Sequence, residues 1–72
     1  MAFEPDKLRR LRLKAGWTQA ELARRAGLHR IEVVRLESGQ RNPRLATLEA
    51  LASALGRALT SLLDEPQARR TR

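Results

Sequence analysis

Arginine is the residue of this chain with the most chemistry to offer. The 72 residues hold 15 Lys and Arg against eight Asp and Glu, a formal net charge of +7. Only Lys7 and Lys14 are lysines. The planar arginine guanidinium pairs bidentately with phosphate or with the O6 and N7 edge of guanine. Nucleic-acid binding is the strongest reading of this balance, with membrane-surface attraction and plain solubility as the other two. The rest of the inventory argues against an enzyme. His29 is the single histidine and cysteine is absent. There is no phosphate-cradling glycine loop and no carboxylate set at metal-ligand spacing, so no catalytic residue, metal or cofactor is expected. A small domain without disulfides suits the cytoplasm. No apolar run approaches the roughly 20 residues of a membrane span, and the opening MAFEPDKLRR lacks the apolar core of a secretion signal. No membrane partner is expected.

Short helices must position these arginines. Leu and Ala dominate the apolar residues, β-branched residues are scarce, and the aromatics are Phe3 and Trp17 alone; an all-α domain follows. A first segment runs from about Pro5 to Ala15, with Pro5 and Asp6 suited to a first helical turn. Leu8, Leu11 and Ala15 form its apolar stripe, and Lys7, Arg9, Arg10 and Lys14 lie outside it. Leu13 falls off the stripe without an assigned role. Gly16 ends the segment. Thr18-Gln19-Ala20-Glu21 reads as a capping box, with Glu21 reaching back to the cap. Leu22, Ala23 and Ala26 then face inward until Gly27.

The third segment, about His29 to Glu37, has Leu28, Val33 and Leu36 as its apolar positions, and Ser38 to Pro43 is loop. A fourth, Leu45 to Leu55, is apolar around much of its circumference and closes at Gly56. A fifth short helix is expected over Ala58 to Leu63. Residues 1–63 thus form one domain. Residues 64–72 lack apolar periodicity and read as a basic, frayed tail.

Between Gln19 and Ser38 the spacing becomes specific. Two short helices that cross steeply need a small residue at the crossing, which Ala23 supplies. The turn between them needs positive φ, which Gly27 adopts without a Cβ penalty. Apolar Val33 and Leu36, ten and thirteen positions after Ala23, complete the helix-turn-helix pattern. An ordinary helical hairpin is the alternative, and the basic charge favours DNA binding over it.

These residues resemble the lambda-repressor/Cro-like helix-turn-helix proteins, also called the xenobiotic-response-element family. The resemblance covers roughly residues 7 to 63. It is carried by LRRLRLKAGWTQAELARRAGL, by VVRLESGQRNP and by LATLEALASALG. It implies a compact five-helix domain that docks its third helix in the DNA major groove, usually as a homodimer on a palindrome. It places Gln19 at the N-terminus of the second helix, where it contacts phosphate and braces the recognition helix; free amides and the helix dipole favour an anion there, and Thr18 beside it is a further expected phosphate contact. Arg12 and Glu37 match a family pair that forms a partly buried ion pair, a structural role.

The third helix departs from the family, which caps it with Ser or Thr and continues with small polar residues. Here His29 stands at the cap, through a ring nitrogen or as a phosphate neighbour. Arg30 and Arg35 occupy positions that face base edges in the family, with phosphate contact as their alternative role. Ile31 suits packing on thymine methyl groups. Glu32 either accepts from cytosine N4 or pairs with Arg35, and the pairing is favoured. Val34 has no assignment. The amides near Ser38, Gly39 and Gln40, with the side chains of Arg41 and Arg44, read as backbone clamps.

The apolar surplus toward the C-terminus, with Leu59, Leu62 and Leu63, supports dimerisation. Residues 1–42 carry a net +5 and residues 43–72 a net +2, which concentrates charge in the DNA-facing half. The function expected is a DNA-binding transcriptional regulator, a repressor acting as a homodimer. The alternative is an antitoxin that binds a toxin protein, with Arg69, Arg70 and Arg72 as a candidate partner segment.

Overall fold

Four α-helices and a single 3-10 turn account for the regular structure of residues 2–64, the part of the chain described by a computed structural model. They are α1 (Pro5–Lys14), α2 (Gln19–Ala26), α3 (Arg30–Glu37) and α4 (Leu45–Leu55), followed by the 3-10 turn Leu59–Leu62. The last element corrects the expectation of a fifth α-helix. Its N-cap, Ala58, brings no side-chain oxygen to the turn, and four residues close only short-range bonds such as Leu63 N to Thr60 O at 3.1 Å. The chain then turns extended, and Leu63 forms an isolated antiparallel bridge with Phe3. Glu4 N donates to Leu62 O at 2.9 Å, Asp64 N to Ala2 O, and Lys7 Nζ to Leu63 O at 2.6 Å. Pairing with the N-terminal segment takes the backbone groups that a longer helix would need.

Local chemistry explains most helix ends. Pro5 opens α1 with Asp6 in its first turn. Thr18 Oγ1 caps α2 by accepting from the Glu21 amide at 3.0 Å. Gly27 and Gly56 end α2 and α4 in the left-handed conformation, at φ 72° and 67°, a region where a side chain is costly. Arg44 heads α4 without a side-chain cap.

The core is built from one face of every element. Leu8 of α1, Leu22 of α2, Val33 of α3, Leu51 of α4 and Leu62 of the 3-10 turn are completely buried. Each such side chain contributes about 1.5–3 kcal/mol by leaving water. Ala23, Leu36, Leu48 and Ala52 complete this cluster, against which Phe3, Leu11, Trp17, Leu28, Leu59 and Leu63 pack at its edge. Leu62 is therefore a core residue of the single chain and has no surface for a partner, which corrects its assignment to a dimer interface. Its neighbours Leu59 and Leu63 are half-buried. Ala15, expected on the buried stripe of α1, is exposed at the helix end. Among the described residues, Leu13, Ile31 and Leu45 are the exposed large apolar ones.

Candidate nucleic-acid interface

Two short helices and the turn between them build the site. Ala23, a small residue buried on α2, lets α3 approach closely. Its carbonyl accepts from the Leu28 amide at 2.8 Å across the Gly27 turn, so the turn is closed by backbone. Val33 and Leu36 then anchor the inner side of α3. At about 100° per residue, the outer side must carry Arg30, Ile31, Val34, Arg35 and Ser38. Arg30, Ile31, Arg35 and Ser38 are exposed and Val34 is half-buried. The helix is held like a bar with one free edge.

A polar brace ties that bar to α1. Arg12 Nε donates to Glu37 Oε2 at 2.6 Å, and Nη2 donates to Glu37 Oε1 at 3.0 Å. The third arm of the guanidinium, Nη1, donates to the Trp17 carbonyl at 2.8 Å. Gln19 Nε2 adds a bond to Glu37 Oε1 at 3.1 Å. The two charged side chains are only 9 % and 5 % exposed, so the pair is shielded from water on both partners and bidentate in geometry. It joins α1, the start of α2 and the end of α3 at one point.

Two carboxylates choose partners other than those expected. Glu32 does not pair with Arg35; its Oε1 accepts from the His29 amide at 3.1 Å. That bond satisfies an amide at the start of α3, where a negative charge also suits the helix dipole. Glu21 does not reach back to the cap of α2. It is shared by Arg24, at 2.6 Å, and Arg25, and these hydrogen bonds hold its carboxyl below the usual glutamate range. Arg25 in turn lies over the Trp17 ring, 4.4 Å from its centre.

The loop after α3 also differs from expectation. The amides of Ser38, Gly39 and Gln40 donate to Val34, Leu36 and Arg35 carbonyls at 3.1, 3.3 and 3.0 Å. They close α3 and are not available to clamp a phosphate. The Ser38 hydroxyl donates to the Arg35 carbonyl at 3.1 Å. The exposed side chains of Gln40, Arg41 and Arg44 remain on the surface beyond, with those of Thr18 and His29 also exposed.

Sequence reasoning set Arg9 outside the apolar stripe of α1 with no further role and put Val34 on the outer face of α3 without an assignment. Both line a shallow hollow with Arg12, Gln19, Glu37 and Ser38, beside the free edge of α3. Arg9 differs from Arg12 by three positions and lies on the same side of α1, a signal that periodicity held. The candidate partner segment Arg69, Arg70 and Arg72 lies outside the described residues. Among the described residues no helix is long and apolar enough to cross a membrane.

Fold and site together define a helix-turn-helix domain whose second helix is braced from behind and basic in front. A family model, Helix-turn-helix (HTH_3), matches residues 8–62; the chain belongs to this family, that of the lambda-repressor/Cro-like proteins. It is 44 % identical over 62 residues to a hypothetical transcription factor of Neisseria meningitidis serogroup B. That match takes in 86 % of this chain and spans 58 % of the relative's length. Its structure is similar to that of the restriction-modification controller protein C.AhdI from Aeromonas hydrophila, at 39 % identity and a TM-score of 0.80. There the overlap is 82 % of this chain and 89 % of the other. It is also similar to the P22 c2 repressor protein in complex with synthetic operator 9T, at 25 % identity and a TM-score of 0.79. That overlap is 88 % of this chain and 96 % of the other. These relatives are transcription regulators and a controller protein, not enzymes.

Proposed function

We propose that this chain is a sequence-specific, double-stranded DNA-binding transcription regulator, a repressor that binds a palindromic operator as a homodimer. The observation that carries the reading is the free edge of α3. It presents Arg30, Ile31 and Arg35 outward while Val33, Leu36 and Glu37 lock its other side. Arg30 and Arg35 donate to guanine O6 and N7 in the major groove. Arg9, Thr18, Gln19, His29 and the side chains of Gln40, Arg41 and Arg44 meet phosphates, which set register without reading sequence; Ser38, whose amide and hydroxyl both donate within α3, drops out of that set. Leu59 and Leu63 contribute to the dimer contact. Two recognition helices then lie about 34 Å apart, one DNA turn.

Fluorescence anisotropy with the DNA upstream of the gene tests the proposal. Competition with random duplex should leave a specific complex standing, and a dimer neutralising about eight phosphates should give a log–log salt slope near −7. Arg30→Ala should change base preference, and Arg41→Ala should weaken every duplex alike. Equal affinity for the upstream palindrome and random DNA would refute the reading.

A further inference from the structure

We infer that the groove between the Gly27 turn, α3 and α4 docks an acidic segment of another protein, anchored by a large apolar side chain, and that this partner and DNA exclude one another. The docking surface stands on its own; the exclusion rests on the DNA-binding reading of Arg41 and Arg44. At about 100° per residue, Glu32 and Glu37 lie about 140° apart, on the two borders of the arc that Val33 and Leu36 bury. On the Glu37 border the brace from Arg12 occupies the side of the helix. On the Glu32 border lies an open groove of about 570 Å³.

Floor and rim of this groove differ in chemistry. Ala26, Leu28, Leu36, Ala46 and Ala50 line it with apolar surface, and the three alanines keep it open because longer side chains there would fill it. Its size falls within the roughly 300–1,000 Å³ of clefts that take an organic group. A large apolar side chain seated here leaves water and gains contact with Leu28 and Leu36. Arg41 and Arg44 stand exposed at the rim, and among the described residues neither is in an ion pair. Glu32, the one carboxylate of the lining, accepts from the His29 amide. A partner that brings carboxylates beside its anchor gives both guanidiniums an acceptor. Charge also selects among occupants. A second copy carries the same net +7, and residues 65–72 hold Glu65 against Arg69, Arg70 and Arg72; each would bring positive charge to a positive rim. An acidic segment matches the rim, and by taking Arg41 and Arg44 it removes them from DNA phosphates.

The experiment selects random dodecapeptides by mRNA display on the intact chain, then competes the enriched peptide against a labelled duplex in an anisotropy assay. Enriched peptides should join Asp or Glu to Leu, Phe or Trp, and replacing that anchor by alanine should weaken binding about tenfold or more. Ala46→Leu, which reaches into the groove from an exposed helical position, should weaken the peptide about tenfold as well. Ala50→Leu repeats the test from the next turn of α4. Both variants should keep the circular dichroism and random-duplex affinity of the wild type. The peptide should displace the duplex with an inhibition constant equal to its direct Kd. Failure to enrich any peptide overturns the inference. So do acidic peptides that need no anchor and bind both variants as tightly as the wild type, since charge alone then holds them. A ternary complex of chain, peptide and duplex overturns the exclusion. Concentration-dependent shifts of the Ala26 and Thr47 amides in the free chain would seat a second copy in the groove and overturn the acidic partner. A chain that holds the anchored peptide but binds no duplex refutes the DNA-binding reading, and the exclusion with it, while the docking surface stands.

Discussion

Replacing Glu37 by alanine leaves the Arg12 guanidinium buried with two of its three donor arms unpaired. Its side chain is 9 % exposed, and only the bond from Nη1 to the Trp17 carbonyl survives. Gln19 Nε2 loses its acceptor as well. Breaking a buried, hydrogen-bonded ion pair from one side costs about 3–5 kcal/mol, because the remaining charge stays desolvated. A chain of this length is expected to have only about 4–11 kcal/mol of stability in all, so Glu37→Ala should remove from about a quarter to all of it. Urea unfolding followed by far-UV circular dichroism at low temperature measures the loss. The companion variant Arg12→Met, Glu37→Leu removes both charges and fills the space, and should recover most of it, since apolar replacement of a buried pair is often neutral or stabilising. A loss below about 1 kcal/mol for Glu37→Ala would place the pair among solvated surface ion pairs and refute the reasoning. So would a double variant as unstable as the single one.

Three further outcomes follow from the same contacts. Gly27→Ala should destabilise by about 1–2 kcal/mol, measured by thermal unfolding; no heavy atom lies within 4 Å of the added Cβ, so the left-handed φ of 72° alone carries the effect. Glu32→Ala should fray the start of α3, with faster amide hydrogen exchange at His29 to Glu32, whereas Glu32→Gln keeps an acceptor and should restore protection; equal exchange in both variants would remove the capping role. The Glu21 carboxyl is held low by Arg24 and Arg25, so its contribution is present above the ordinary glutamate range and is lost as pH falls through the lowered value. Acid titration of unfolding should therefore show a steeper loss in the wild type than in Glu21→Gln, by a small margin because the group is solvated; identical slopes would contradict the assignment.

Where helices begin and end was legible from neighbours a few residues apart. Leu45–Leu55 is bounded as its pattern predicts, since Gly56 stops it through a property of its own backbone. The turn at Gly27 was legible for the same reason, and so was the crossing at Ala23. The fifth helix was not: Leu59–Leu62 has the composition of a helix, but its continuation, Leu63, pairs with Phe3 at the other end of the described residues. Leu62 looked like surplus apolar surface for a partner because nothing local reveals that its turn packs against α1 and α4 and buries it completely.

The ionisable groups separate the two levels most clearly. Residue types and spacing alone determined an all-α chain with a helix-turn-helix at residues 19–37 and arginines on its second helix. These follow from short-range chemistry: periodicity, caps and the conformational freedom of glycine. Only the tertiary structure decided how each carboxylate is used. Glu21 had a cap and two arginines within reach, and Glu32 had an arginine and an amide; sequence spacing permits all of these. The outcome depends on which donor the folded backbone brings closest and how much water remains there. Glu32 turned to the His29 amide, Glu21 to Arg24 and Arg25, and Glu37 to Arg12. That partition leaves the outer edge of α3 to guanidinium and apolar groups.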